Sequence, residues 1–249
     1  MRCIDNPYTD PLFNLAVEDY LFHYLPDSIF MLWQNDPAVI IGKHQDVQRE
    51  VNLAFAQAHA LPIIRRFSGG GTVYQDLGNL NLTFIQNTAR PDFGKYTRLI
   101  QEFLRTYSIA ATVDARQALF INDLKISGCA QYVRKGRILH HATLLYSTDL
   151  PTLSAVLEVP DHSYENSARL PGGAVKAVKS VKSPVTNLSF HLPSPPSVEA
   201  FRKTLFDYFV NLFSSALPSF WDKNDLEIIK RLRKEKYANP LWNISSYPL

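Results

Sequence analysis

Three consecutive glycines, Gly69 to Gly71, follow Arg65-Arg66 and open a short polar stretch that ends at Asn79. Branched and aromatic segments bound the whole, Leu61 to Ile64 before it and Asn81 to Ile85 after it. Such flanks predict strands, with the loop turning the chain between neighbours of one sheet. Consecutive glycines let backbone N–H groups approach a ligand where a Cβ would collide, and amides so placed line a concave site for phosphate or carboxylate. The glycines are contiguous and run into Thr72-Val73 and a strand, so neither G-x-G-x-x-G nor G-x-x-x-x-G-K-[ST] describes them. By itself the loop is either an anion cradle or a glycine-rich hairpin or bulge with no ligand.

The chain has 249 residues, 46% hydrophobic and 20% charged, enough to bury one substantial core. Met1 to Asp10 is polar, and no apolar run approaches the roughly 18 residues of a membrane span, so a cytoplasmic protein without a membrane partner is expected. Cys3 and Cys129 lie far apart with no second thiol or histidine at metal spacing, so neither a disulfide framework nor a zinc site is indicated. A net charge of +3 suits an acidic protein partner and is too weak for nucleic acid.

Asp10-Pro11 starts a helix that Leu15, Val17, Leu21 and Leu25 continue until Pro26. Ile29 to Trp33 and Ala38 to Ile41 predict two short strands, and Asp46 to Ala60 a second helix. A helix around Tyr96 to Tyr107 precedes a tight hairpin, Gln117 to Ile121 and Leu124 to Tyr132, turning at Asn122-Asp123. Another strand covers Ile138 to Tyr146; Pro193, Pro195 and Pro196 mark a loop; Phe201 to Phe213 is apolar on one face; and Asn224 with Glu227 offers a capping-box start to a final basic helix. Strands in pairs and meanders between helices predict an α+β fold with mixed, largely antiparallel sheets and flanking helices, not a doubly wound parallel sheet.

Lys125-Ile126-Ser127-Gly128 begins just after the hairpin turn, and strand alternation would put Lys125 and Ser127 on one face, toward the glycine loop. A lysine ammonium is a compact charge suited to a phosphate or a developing oxyanion; an isolated strand lysine is otherwise a solvated one.

Together RRFSGGGTVYQDLGNLNLTF, NDLKISGCAQ and LHHATLLYSTDL resemble the lipoate-protein ligase A family, within the biotinyl and lipoyl protein ligases. The similarity extends upstream to Asn14-Leu15-Ala16-Val17-Glu18 and LWQNDPAVIIGKHQ, and downstream to Val178 through Leu188. The resemblance implies a catalytic domain like that of class II aminoacyl-tRNA synthetases and biotin protein ligases. It implies activation of lipoate with ATP to lipoyl-AMP, and transfer of the lipoyl group to a lysine of apo lipoyl domains, including the glycine cleavage H protein. Carried over by position, Arg66, Ser68, Gly70, Gly71, Thr72, Val73 and Asn79 fall where the family holds the acyl chain and adenylate, and Lys125 matches its catalytic lysine. Gln75 stands where histidine is frequent and keeps a donor and an acceptor; Ser127 and His141 complete the expected ligand-binding set. Mg²⁺ is expected to bridge the ATP phosphates with one or two carboxylates, Asp123 being a candidate as well as a turn residue.

The acyl tail needs a dry slot, and Trp33, Val39, Ile41, Val73, Tyr74 and His141 are its candidate walls, some of which simply pack a sheet. Five or six buried methylenes at about 0.8 kcal/mol each supply roughly 4 to 5 kcal/mol before ordering costs. His140 and His141 face opposite ways on a strand, so at most one enters the site; His141 is expected to line it, with no histidine as base. The stretch Ala111 to Ala118 holds no cysteine where related octanoyl transferases carry their nucleophile, and Cys129 is expected only to pack, which favours adenylate over thioester chemistry.

Glu235 to Asn243 resembles the close of the ligase catalytic domain, after which many members carry a small accessory domain. Residues 1–249 are accordingly expected to form one catalytic domain without it. Three readings stand: an ATP-dependent ligase, a lipoyltransferase that uses preformed lipoyl-AMP or needs a separate accessory chain, and a non-catalytic binding subunit.

Overall fold

Alternation of apolar residues on five strands builds the central sheet. The computed structural model describes residues 1–159, 178–214 and 221–244. β1 (Arg2–Asp5), β2 (Ile29–Trp33), β6 (Asn79–Asn87), β11 (Arg137–Leu145) and β10 (Cys129–Arg134) pair in that order, β1 parallel to β2 and the rest antiparallel. Phe30, Leu32, Leu80, Leu82, Phe84 and Leu144 point to one face, where α4 (Lys95–Arg105) and α6 (Val198–Leu212) cover them. Ile29, Met31, Trp33, Ile85 and Leu139 point to the other, against α1 (Pro11–His23) and α7 (Lys223–Leu232). Both faces being covered, β2 is apolar on both sides along its whole length.

Above the second face lies a three-stranded sheet in which β3 (Ala38–Ile41) sits between parallel β4 (Ile63–Arg65) and antiparallel β5 (Val73–Gln75). Its outer side packs on α2 (Val47–Glu50), α3 (Leu53–Ala58) and α5 (Leu150–Leu157). β7 (Thr112–Val113), β8 (Leu119–Ile121) and β9 (Leu124–Ser127) form a second small sheet. The fold is α+β with antiparallel-rich sheets and flanking helices, as the pattern of elements predicts.

Several local expectations are corrected. The glycine loop does not join neighbouring strands: it links β4 to β5, which flank β3, and the segment Asn81 to Ile85 belongs to the other sheet. The polar first residues hide a strand, β1, whose Cys3 and Ile4 are buried because β2 pairs with it. The helix over 46–60 is two, since Asp46 and Asn52 each cap a start, accepting from Gln48 and Phe55 N–H, and Val51 between them is extended. The 124–132 segment breaks at Gly128, β9 and β10 entering different sheets. The last basic helix starts at Asp222, with Asp225 completing the capping box instead of Asn224 and Glu227. Among the described residues no helix is long and apolar enough to cross a membrane.

Candidate functional site

Between the second face of the large sheet and the β3–β5 layer lies a cavity of about 530 Å³, the size of a small-molecule site. The glycine loop forms its roof. Arg66 holds that loop in shape: its guanidinium donates to Ile40 O at 3.1 Å, to Gly69 O at 2.7 and 3.0 Å, and to Gly71 O at 2.7 Å. Burial lowers the Arg66 pKa to about 10, partly offset by Glu18, so the side chain stays charged. It lines the cavity, yet each of its three guanidinium nitrogens donates to a backbone carbonyl. Arg65 is fully buried on the other side, bonded to the carbonyls of Gly42, Lys43, Gln45 and Trp242, and takes no part in the cavity. Gly70 adopts φ +90°, and a Cβ there would come within 2.6 Å of the Ala130 Cβ, so no side chain fits.

The segment 178–187 ties the roof to the opposite rim. Ser180 Oγ accepts from Thr72 N–H at 2.9 Å and from Gln45 Nε2 at 2.8 Å. A few residues on, Lys125 N–H donates to Pro184 O at 2.8 Å and Thr186 N–H to Lys125 O at 3.0 Å. The Lys125 Nζ lies 3.0 Å from where a Cβ of residue 128 would be, so the absence of a side chain at Gly128 makes room for the ammonium. Burial lowers the Lys125 pKa, with Arg116 adding to the shift and Asp114 opposing it. An ammonium that must be charged to hold an anion then titrates below the ordinary lysine range. We expect kcat/KM to fall on the alkaline side as pH rises through that depressed value, and Lys125→Arg, which cannot deprotonate, to lose this limb whatever activity remains. A pH profile of acceptor modification checks it.

On the floor, His141 Nδ1 lies 3.0 and 3.1 Å from the two oxygens of Glu18, which is fully buried and also accepts from Thr83 Oγ1 at 2.7 Å. A carboxylate only accepts, so Nδ1 carries a proton, and Nε2 is hydrogen-bonded with Ser68 Oγ at 3.1 Å. Both ring nitrogens are occupied, and His141 lines the cavity as a fixed wall. His140 faces the other way, its pKa pushed down to about 3 by burial and then by His141.

Of the expected residues, Lys125, Arg66, Gly70, Gly71, Thr72, Val73, Gln75 and His141 meet on this cavity. Ser68 reaches it through His141, and Asn79 through its bond to Asn81, at 2.9 Å. Ser127 does not share a face with Lys125: it pairs with Leu119 while Lys125 pairs with Phe120, and the bulge between them reverses its side. Asp123 sits in the exposed turn at φ +64°, off the cavity. Trp33 and Val73 line the slot, whereas Val39, Ile41 and Tyr74 pack the outer side of their sheet; Ile40 and Leu15 take their place. Alternation on β3 could have given Ile40, but only with the buried side known.

Sequence reasoning missed Asp114, Arg116, Asn81 and Ser180. Asp114 is the one acid among the described cavity-lining residues, held by N–H bonds from Arg116 and Ala118 at 2.9 and 2.8 Å. With Lys125, Arg116 and Lys179 nearby, this rim is cationic and suits a phosphate chain, while Leu15, Trp33, Ile40 and Val73 make the other end apolar. Cys129 also lines it, but burial raises its thiol to about 11 and Sγ donates to Gln117 O at 3.4 Å. Cys129→Ser is therefore expected to retain wild-type turnover within about twofold, the thiolate being the reactive form; loss of transfer in a folded Cys129→Ser protein would revive a thioester route.

Residues 10–210 match the family model of the lipoyl protein ligase A/B catalytic domain. The chain is similar to the lipoate-protein ligase LplJ of Bacillus subtilis (strain 168), 33% identical over 256 residues covering 100% of this chain and 75% of that protein. It is similar in structure to a bi-partite lipoate protein ligase of Thermoplasma acidophilum, studied with its E2 lipoyl domain (27% identity, TM-score 0.80, covering 98% of this chain and 96% of that one). A lipoate-protein ligase A structure bound with ATP matches at 25% identity and TM-score 0.77, covering 98% of each chain.

Proposed function

The chain belongs to the lipoyl protein ligase A/B catalytic-domain family, and on that premise we propose that it activates lipoate with ATP and transfers the lipoyl group to a lysine of a lipoyl domain. The observation that carries this is the seat of Lys125: a half-buried ammonium over Gly128, at the junction of a cationic rim and an apolar slot. With the acyl tail in the slot, the lipoate carboxylate meets the ATP α-phosphate beside Lys125, under the glycine loop. A carboxylate oxygen attacks that phosphorus, pyrophosphate leaves, and the ammonium offsets charge on both reactants. In the second step the acceptor amine attacks the carbonyl carbon, AMP leaves, the amine gives up its proton, and Lys125 stays on the oxygen that gains charge.

Mg²⁺, when bound, neutralises the ATP phosphates. Such an ion would keep most of its waters and need only one or two protein carboxylates. Asp114 on the rim is better seated for that than Asp123 in its turn. The acceptors are apo lipoyl domains and the H protein, and ATP use suits a cytoplasmic reaction.

A second reading, in which a separate accessory chain helps form the adenylate, has its parallel in the bi-partite ligase to which the chain is similar. Both are tested by incubating the pure chain with an apo lipoyl domain, with ATP, Mg²⁺ and lipoate in one tube and lipoyl-AMP in another, and following acceptor mass. Modification in both supports the ligase. Modification with lipoyl-AMP alone supports a transferase or a separate accessory chain, and none in either supports a non-catalytic binding subunit.

A further inference from the structure

A row of buried side-chain amides runs from the start of α1 to the cavity. Asn14 Nδ2 lies 2.9 Å from Tyr8 O, 2.8 Å from Gln34 O and 2.8 Å from Asn35 Oδ1, its two hydrogens shared among the three acceptors. Asn35 Nδ2 then donates to Gln75 Oε1 at 2.7 Å, and Gln75 Nε2 to Asn81 Oδ1 at 2.7 Å. The direction of this row is fixed at its origin. Two backbone carbonyls can only accept, so the Asn14 atom facing them is the nitrogen; each later amide must present oxygen to the nitrogen before it. Asn79 Nδ2 also lies 2.9 Å from Asn81 Oδ1, but its own Oδ1 is buried without a partner, so the direction of Asn81 rests on the row that starts at Asn14. The row therefore ends in a donor. Asn81 is 2% exposed and lines the cavity, and its Nδ2 has no partner.

Strand register says which part of a bound acid meets it. Thr143 N–H bonds Gly128 O, beside Lys125; Thr143 pairs with Asn81, and Asn81 with Trp33. Adjacent strands lie about 4.8 Å apart, so Asn81 is roughly 10 Å from the Gly128 backbone, well beyond the carboxylate end. There the other lining groups include Leu15, Trp33, Ile40 and Val73, while Gln75 and the hydroxyl of Thr143 are already bonded. A donor without a partner in such a wall costs free energy unless the ligand accepts from it.

We propose that Asn81 Nδ2 donates to a sulfur of the dithiolane ring at the distal end of the acyl chain, and so selects the sulfur-bearing acid over a carbon chain of the same shape. This rests on the cavity being the lipoate slot. A sulfur accepts weakly and a methylene not at all, so discrimination follows mainly from leaving the donor unpaired.

The test compares binding of lipoate and 5-cyclopentylpentanoate, the all-carbon isostere, by calorimetry on the whole chain, with octanoate as a third acid. Wild type is expected to bind lipoate about five- to tenfold more tightly than the isostere. In Asn81→Leu, and in Asn81→Asp, which keeps the acceptor for Gln75 and Asn79, the ratio should fall toward one. Equal affinities in wild type, or an unchanged ratio in either variant if it folds, overturn the proposal while leaving the ligase reading intact. If neither variant folds, the wild-type ratio alone decides. Failure of wild type to bind any of the three acids, with no modification of a lipoyl domain, would remove the reading of the cavity and this inference with it.

Discussion

Lys125→Ala is expected to lower acceptor modification by about 10²- to 10³-fold or more, with ATP and lipoate or with lipoyl-AMP as the donor, and to leave the melting temperature unchanged or raised. The two halves of this expectation have one cause. Lys125 is desolvated, which lowers its pKa and makes its charge a cost to the folded state. That cost is repaid only when an anion arrives, in both half-reactions. Removing the ammonium takes away the stabilisation of the developing charge and also the penalty of burying it. Mass spectrometry of the acceptor and a circular-dichroism melt measure the two. Wild-type turnover with either donor would sink the role given to this lysine, and a collapsed melt would mean that it holds the fold instead.

Arg66→Met is expected to act the other way, on structure first. Its buried guanidinium is the donor for Ile40 O, Gly69 O and Gly71 O. Methionine fills much of the same space and donates to none of them, leaving these carbonyls short of a partner. We expect a loss of about 3 kcal/mol in denaturant unfolding, and lipoate binding weakened at least tenfold because the roof no longer holds its shape. Arg66→Lys should rescue little, since a single ammonium cannot span three carbonyls that a planar fork reaches together. An Arg66→Met protein that binds lipoate with wild-type affinity would show that the loop keeps its form without this clamp.

The contrast between these two cations could not be drawn from the chain alone. Both stood out as anion-binding candidates, each beside a glycine and a serine. Only the fold separates them: Arg66 is turned inward to its own loop, while Lys125 is bent over Gly128 at the rim. The same holds for Ser127. Period-2 alternation puts it beside Lys125, and one bulged residue sends it to the opposite side. Asn81 carried no signal in the sequence, because its free donor depends on the bond from Gln75, which forms only when the two sheets stack.

The sequence by itself determined the family, the α+β class, the central strands and the glycine loop and lysine motif. These rest on local order along the chain: side-chain period, glycine spacing and short motifs that tertiary contacts do not rearrange. Tertiary structure alone decided which of those residues face the cavity, which cation is free to meet an anion, and which buried amide is left with a hydrogen to give. Each of those is a property of two segments distant in sequence being packed together, and a one-residue change of register or a single bulge is enough to reverse it.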